Sequence, residues 1–140
     1  MNIAVITGAS SGLGAEYVKT IIKMDEEIDE IWLIARRKER LEKLAREYNK
    51  VVIRPISLDL SINNSYNVLN ELLEKEHATI KILINNAGFE KTGHFKQMKT
   101  TDILAIIDLN IKGFSMINRI CIPYMIKGSI GIMTCSISSF

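Results

Sequence analysis

Short apolar runs alternate with helical ones along the whole chain. Asn2–Thr7 (NIAVIT) is apolar, β-branched and stops at Gly8, which predicts a buried strand. The stretch that follows places Val18, Ile21 and Ile22 on one helical face. Glu30–Ala35 (EIWLIA) predicts a second strand. Leu41, Leu44, Ala45 and Tyr48 then recur at the i, i+3, i+4, i+7 spacing of an amphipathic helix. Val51–Ile56 (VVIRPI) predicts a third strand with Pro55 at its end, where a missing donor is tolerated. Ser61 is placed to cap a helix that turns Val68, Leu69, Leu72 and Leu73 inward. Ile80–Ile84 (IKILI) predicts the fourth strand and Ser129–Ser136 the fifth, with a long helix from Thr101 to Tyr124 between them.

Strands that alternate with single helices imply parallel strands joined by right-handed crossovers, with helices on both faces. The fold class is therefore α/β, in three layers, and residues 1–140 read as one domain. The long helix departs from the usual pattern. Ile103, Leu104, Ile107, Ile111, Phe114, Ile117 and Ile120 surround its axis instead of forming one stripe. Such a helix needs cover on more than one side, from the rest of a larger domain or from another subunit. From Met125 to Phe140 the only charge is Lys127, so that segment is expected to be interior.

Composition narrows the class. An apolar content of 47% excludes a disordered chain. The net charge of +2 is too small to argue for nucleic acid or an anionic membrane surface. No apolar run reaches the roughly 18–20 residues of a membrane span, and no basic-then-apolar leader stands at the N-terminus. Cys121 and Cys135 match no metal or redox spacing; both are expected to be reduced, buried packing residues of a cytoplasmic protein. His77 and His94 sit in polar stretches without partners for a metal, and read as surface residues.

The candidate chemistry starts where the first strand ends. There stands TGASSGLG, with Gly8, Gly12 and Gly14, and with Ser10, Ser11 and Leu13 between them as further candidate contacts. A diphosphate needs bare backbone, N–H groups aimed at it and the positive end of a helix. Gly8 permits the turn, Gly12 the approach of the phosphates and Gly14 close packing of the helix. The spacing is G-x3-G-x-G and no Lys-Ser/Thr follows, so this is no ATPase-type phosphate loop. In a βαβ unit the pattern implies a Rossmann-type dinucleotide site. The second strand ends in Arg36, Arg37 and Lys38, where an NAD site would carry a carboxylate. Guanidinium groups suit a 2′-phosphate, so NADP is favoured, with NAD possible.

These residues together resemble the short-chain dehydrogenases/reductases. TGASSGLG matches that family's cofactor loop, and Asn85-Asn86-Ala87-Gly88 matches its NNAG motif at the end of strand four. Asp59, next to Leu60 in SLDLS, matches the acid that meets the adenine amino group; Asn110, in LNIKG, matches the catalytic asparagine. Ser136 looks like the catalytic serine. The resemblance implies a sheet order of 3-2-1-4-5 and hydride transfer between a nicotinamide cofactor and a small carbonyl or alcohol. It implies that Asn86, Ala87 and Gly88 pass beside the adenosine ribose, and that Asn85 ties neighbouring strands together. Ser136 would bond the substrate oxygen while Asn110 holds a water of the proton relay. The match covers only about the first half of a family member.

The family's proton donor is a tyrosine four residues before a lysine. Tyr17, Tyr48, Tyr66 and Tyr124 are followed at that distance by Ile21, Val52, Asn70 and Gly128. Tyr124 has Lys127 nearby, but at the start of strand five, the end away from the ligand. General acid catalysis is typically worth about 10²–10⁴-fold, so little or no turnover is expected from these 140 residues alone. A C-terminally incomplete sheet would also expose strand five as an edge, to be capped by self-association there or along the 101–124 helix. Two other readings stand beside the oxidoreductase: a non-catalytic NADP(H)-binding module or pseudoenzyme, and a methyltransferase with an adenosyl cofactor. The basic end of strand two and the NNAG motif argue against the last.

Overall fold

The computed structural model describes residues 1–10, 12–24 and 27–135. Its elements, in chain order, are β1 (Asn2–Thr7), α1 (Leu13–Lys23), β2 (Glu30–Ala35), α2 (Lys38–Arg46), β3 (Val52–Ser57), α3 (Asn63–Lys75) and β4 (Thr79–Asn85). A 3₁₀ turn at Phe95–Gln97 precedes one long helical run. That run comprises α4 (Thr100–Ile106), a π-helical segment (Ile107–Gly113), α5 (Phe114–Cys121) and a 3₁₀ turn (Ile122–Tyr124). It leads into β5 (Met125–Met133). The strands form one parallel sheet in the order β3-β2-β1-β4-β5.

Alternation along the strands loads both faces. Ala4, Ile6, Ile31 and Leu33 turn to one face, where Val18 and Ile21 of α1 and Leu41 and Leu44 of α2 cover them. Ile3, Val5, Trp32 and Ile34 turn to the other, under Leu69 and Leu73 of α3 and Ile117 and Cys121 of α5. Each fully buried aliphatic or aromatic side chain contributes about 1.5–3 kcal/mol, so these two layers carry the fold. Arg54 lies over the Trp32 ring, 5.3 Å from its centroid, and pairs with Glu30 at 3.0 Å and Glu76 at 2.9 Å. That cluster joins the starts of β2 and β3 to the end of α3, far from the strand ends where ligands bind.

Several expectations are corrected. Pro55 sits within β3, paired with Leu33, and is tolerated because β3 is an edge strand. Ser61 does not cap α3: Ile62 holds that position, and the Ser61 hydroxyl is spent on Asp59. Residues 125–135 are not interior, and 136–140 lie outside the described residues. No residue of β5 is fully buried, because β5 is the other edge strand and pairs only with β4. Cys135 is exposed for the same reason, whereas Cys121 is buried and burial pushes its thiol pKa up to about 12. β5 begins at Met125, not Ser129. It pairs with Ile80, breaks register, and rejoins β4 at Ile130 opposite Ile82. Lys81 is the extra residue on β4, which is why Ile80 and Leu83 share a face.

The long helix is covered on one side only. Gly113, Ile117 and Cys121 are buried, while Leu104, Ile107, Ile111 and Ile122 are 42–60% exposed. No helix among the described residues is long and apolar enough to cross a membrane.

Candidate functional site

The strand order reverses between β1 and β4, and open α/β sheets bind ligands at the carboxyl ends flanking such a point. The site is built there from one hydroxyl outward. Thr7, the last residue of β1, is fully buried. Its hydroxyl donates to Asn85 Oδ1 at 3.0 Å and accepts the backbone N–H groups of Asn86 and Ala87, each at 2.9 Å. Asn85 donates from Nδ2 to the Phe114 carbonyl at 2.9 Å and to Asn118 Oδ1 at 3.3 Å. One side-chain pair thus locks β1, the turn after β4 and α5 together.

The glycine loop packs directly on that turn. Gly8 has φ of +68°, and a Cβ there would stand 2.8 Å from Ala87 Cα. Gly14, in the first turn of α1, has no room for a side chain: a Cβ there would fall 2.5 Å from the Gly8 carbonyl oxygen. Gly12 has φ of +57° but open space around it, so its requirement is conformational. A bare-backbone cradle results, with α1 rising from its rim.

Beside the cradle is a cleft of about 260 Å³. Of the residues singled out in the sequence, Gly8, Ser10 and Leu13 line it from the loop, and Arg36 and Arg37 from the end of β2. Leu60, Asn86, Ala87 and Gly88 line its other side. Gly12 and Gly14 shape the loop but do not line the cleft. Ser11 and Ser136 lie outside the described residues. Ile34, Ala35, Leu58 and Leu109 also form its walls, and nothing in the sequence distinguished them from core residues.

Charge at the cleft is one-sided. Arg37 Nη2 donates to Ser10 Oγ at 3.3 Å, which draws the guanidinium over the loop. Among the described residues, neither Arg36 nor Arg37 has a carboxylate within 4.0 Å. Asp59 lines a neighbouring hollow with Arg36, Ser61 and Leu109. Its Oδ1 accepts from the Ser61 hydroxyl at 2.6 Å and the Ser61 N–H at 3.0 Å. Burial works against its ionisation, but those two bonds and the charge of Arg36 outweigh burial and hold the carboxyl below its usual range.

Asn110 stands at the middle of the π-helical segment, exposed. Its amide pairs with one residue: Oδ1 accepts from the Phe89 N–H and Nδ2 donates to the Phe89 carbonyl, both at 2.8 Å. The side chain therefore holds the loop after Gly88. A third hollow runs past Asn86–Glu90, Asn110, Phe114, Thr134 and Cys135, continuing the cleft toward the end of β5. Tyr124 is at the opposite end of the sheet, its hydroxyl on Asn70 Oδ1 at 3.3 Å.

The short chain dehydrogenase family model matches residues 2–140. The chain belongs to the short-chain dehydrogenase family. An uncharacterised oxidoreductase of Staphylococcus epidermidis is 29% identical over 140 residues, covering 99% of this chain and 59% of that protein. Among solved structures, a short-chain dehydrogenase from Sphingobium yanoikuyae in complex with NADPH is similar at 31% identity and a TM-score of 0.76. That match covers 88% of this chain and 48% of the other. L-Sorbose reductase from Gluconobacter frateurii, complexed with NADPH and L-sorbose, is similar at 26% identity and a TM-score of 0.75, covering 86% and 46%. This short-chain dehydrogenase chain thus spans about half to three-fifths of the relatives it matches.

Proposed function

We propose that these residues form the cofactor half of an oxidoreductase that transfers hydride between NADP(H) and a small carbonyl or alcohol. The observation that carries the reading is the pair Arg36 and Arg37 at the cleft rim, without carboxylate partners among the described residues, beside the bare backbone at Gly8, Gly12 and Gly14. The backbone amides and the α1 N-terminus suit a diphosphate, and the guanidinium groups suit an added phosphate on the adenosine ribose. Asp59, its Oδ1 already pinned by Ser61, suits an adenine amino group. The relatives that bind NADPH support the same assignment. A bound nicotinamide dinucleotide supplies the hydride; the chain orients it, and Ser136, which matches the family's catalytic serine in sequence, would bond the substrate oxygen. The two free thiols suit a cytoplasmic setting.

Calorimetry tests this reading. NADPH is expected to bind more tightly than NADH, and Arg36→Ala with Arg37→Ala to weaken NADPH by about tenfold or more while leaving NADH unchanged. Equal losses for both cofactors would refute the phosphate assignment. No tyrosine of these residues precedes a lysine by four, so the chain assayed alone with NADPH and carbonyls is expected to show no robust oxidation of the cofactor. On these residues alone, the cofactor site would then act as a non-catalytic binding module.

We further propose that a second copy covers the stripe Leu104, Ile107, Ile111 and Ile122. Sedimentation is expected to show a dimer or larger species that Ile111→Glu dissociates. A wild-type monomer at high concentration would exclude the interface.

A further inference from the structure

Between α3 and the π-helical segment the Asp59–Ser61 loop is held from two sides. From α3, the buried Tyr66 hydroxyl donates to the Leu60 carbonyl at 2.6 Å. From the other side Gly113 presses against the same oxygen, so closely that a Cβ there would come within 2.7 Å of it. Leu60 lines the cleft, and its neighbour Asp59 lines the adjoining hollow. A carbonyl fixed on both flanks leaves this loop one position relative to the cleft.

From this geometry we infer that Tyr66 is a positioning residue for adenine recognition: its hydroxyl fixes the Leu60 carbonyl and so sets where the Asp59 carboxylate meets the base. The inference rests on the NADP(H) reading above. Tyr66 touches no cofactor-facing space itself; neither the cleft nor the adjoining hollow is lined by it. Its effect passes through one peptide unit. Ser61 performs the complementary task, occupying Asp59 Oδ1 through both its hydroxyl and its N–H. The two contacts are independent: one places the loop and the other orients the carboxylate within it.

The test compares NADPH with its hypoxanthine analogue, which lacks the exocyclic amino group that Asp59 would accept from. Wild type is expected to prefer NADPH by about tenfold or more, the scale of a hydrogen bond to a charged group. In Tyr66→Phe that preference is expected to fall below about threefold, while the preference for NADPH over NADH, set by Arg36 and Arg37, holds. Hydrogen exchange in the free variant should rise at the Asp59–Ser61 amides and not along α1. An unchanged adenine preference in Tyr66→Phe, or a wild type without that preference, would overturn the inference. So would equal loss of both preferences, which marks general loosening. Failure of the wild type to bind NADPH would instead remove the cofactor reading itself. If Tyr66→Phe does not fold, Gly113→Ala carries the test, because its methyl displaces the same Leu60 carbonyl from the other flank; it must lower the adenine preference, and an unchanged preference would overturn the inference.

Discussion

Gly8→Ala is expected to abolish nucleotide binding and to lower stability by at least about 2 kcal/mol. Two penalties act together. The backbone at Gly8 has φ of +68°, where a Cβ is strained, and the new methyl would fall 2.8 Å from Ala87 Cα and 2.9 Å from its nitrogen. Neither atom can swing aside, because the Ala87 N–H is bonded to Thr7 and Asn86 is anchored beside it. Relief would come from pushing the loop away from the turn after β4, which opens the cradle. Urea unfolding and NADPH titration of the same preparation check both consequences. A variant that kept wild-type affinity would show that the close approach of Gly8 to Ala87 is dispensable. Gly12→Ala, strained but in open space, should be the milder of the two.

Asn85→Leu should cost about 3 kcal/mol and lower the melting temperature by roughly 10 °C, for a different reason. Leucine is close in size, so packing is not the issue. The loss is polar: the Thr7 hydroxyl loses its acceptor in a buried place where water cannot substitute, and the part-buried Phe114 carbonyl loses its side-chain donor. Calorimetric melting of the two proteins measures it. A shift of less than about 2 °C would mean that the network relaxes onto other partners.

Local patterns carried most of the fold. β1 and β2 followed from unbroken apolar runs, because each is buried on both faces, and the buried faces of α1 and α2 from apolar residues at a helical period. The edge place of β5 followed from the implied strand order, but its composition misled on burial for a physical reason. Its residues are as apolar as those of β4, yet exposure is set by strand order, and an edge position is not written in the strand's own composition. Ser61 misled because a hydroxyl that could cap α3 found a stronger acceptor in the Asp59 carboxylate. The register break at Lys81 was hidden because an added residue in a strand leaves its apolar content unchanged.

At the site, the glycines, the arginines after β2 and Asn86–Gly88 announced themselves by type and spacing. Thr7, Tyr66 and Gly113 did not. Each acts through a contact to residues distant in the chain, and each resembles a residue with an ordinary local explanation: a strand end, a helix aromatic and a helix glycine. The π-helical segment around Asn110 was equally silent, since no spacing rule marks one.

The Thr7 hydroxyl bonds residues 78 to 80 positions further along. In N-to-C synthesis those partners emerge only after β1–β3 have been made. The nascent polypeptide therefore emerges with its glycine turn lacking one wall, and gains it only when β4 inserts beside β1. A nucleotide present during synthesis would act on that insertion step, drawing the last partner in instead of stabilising an already formed first half.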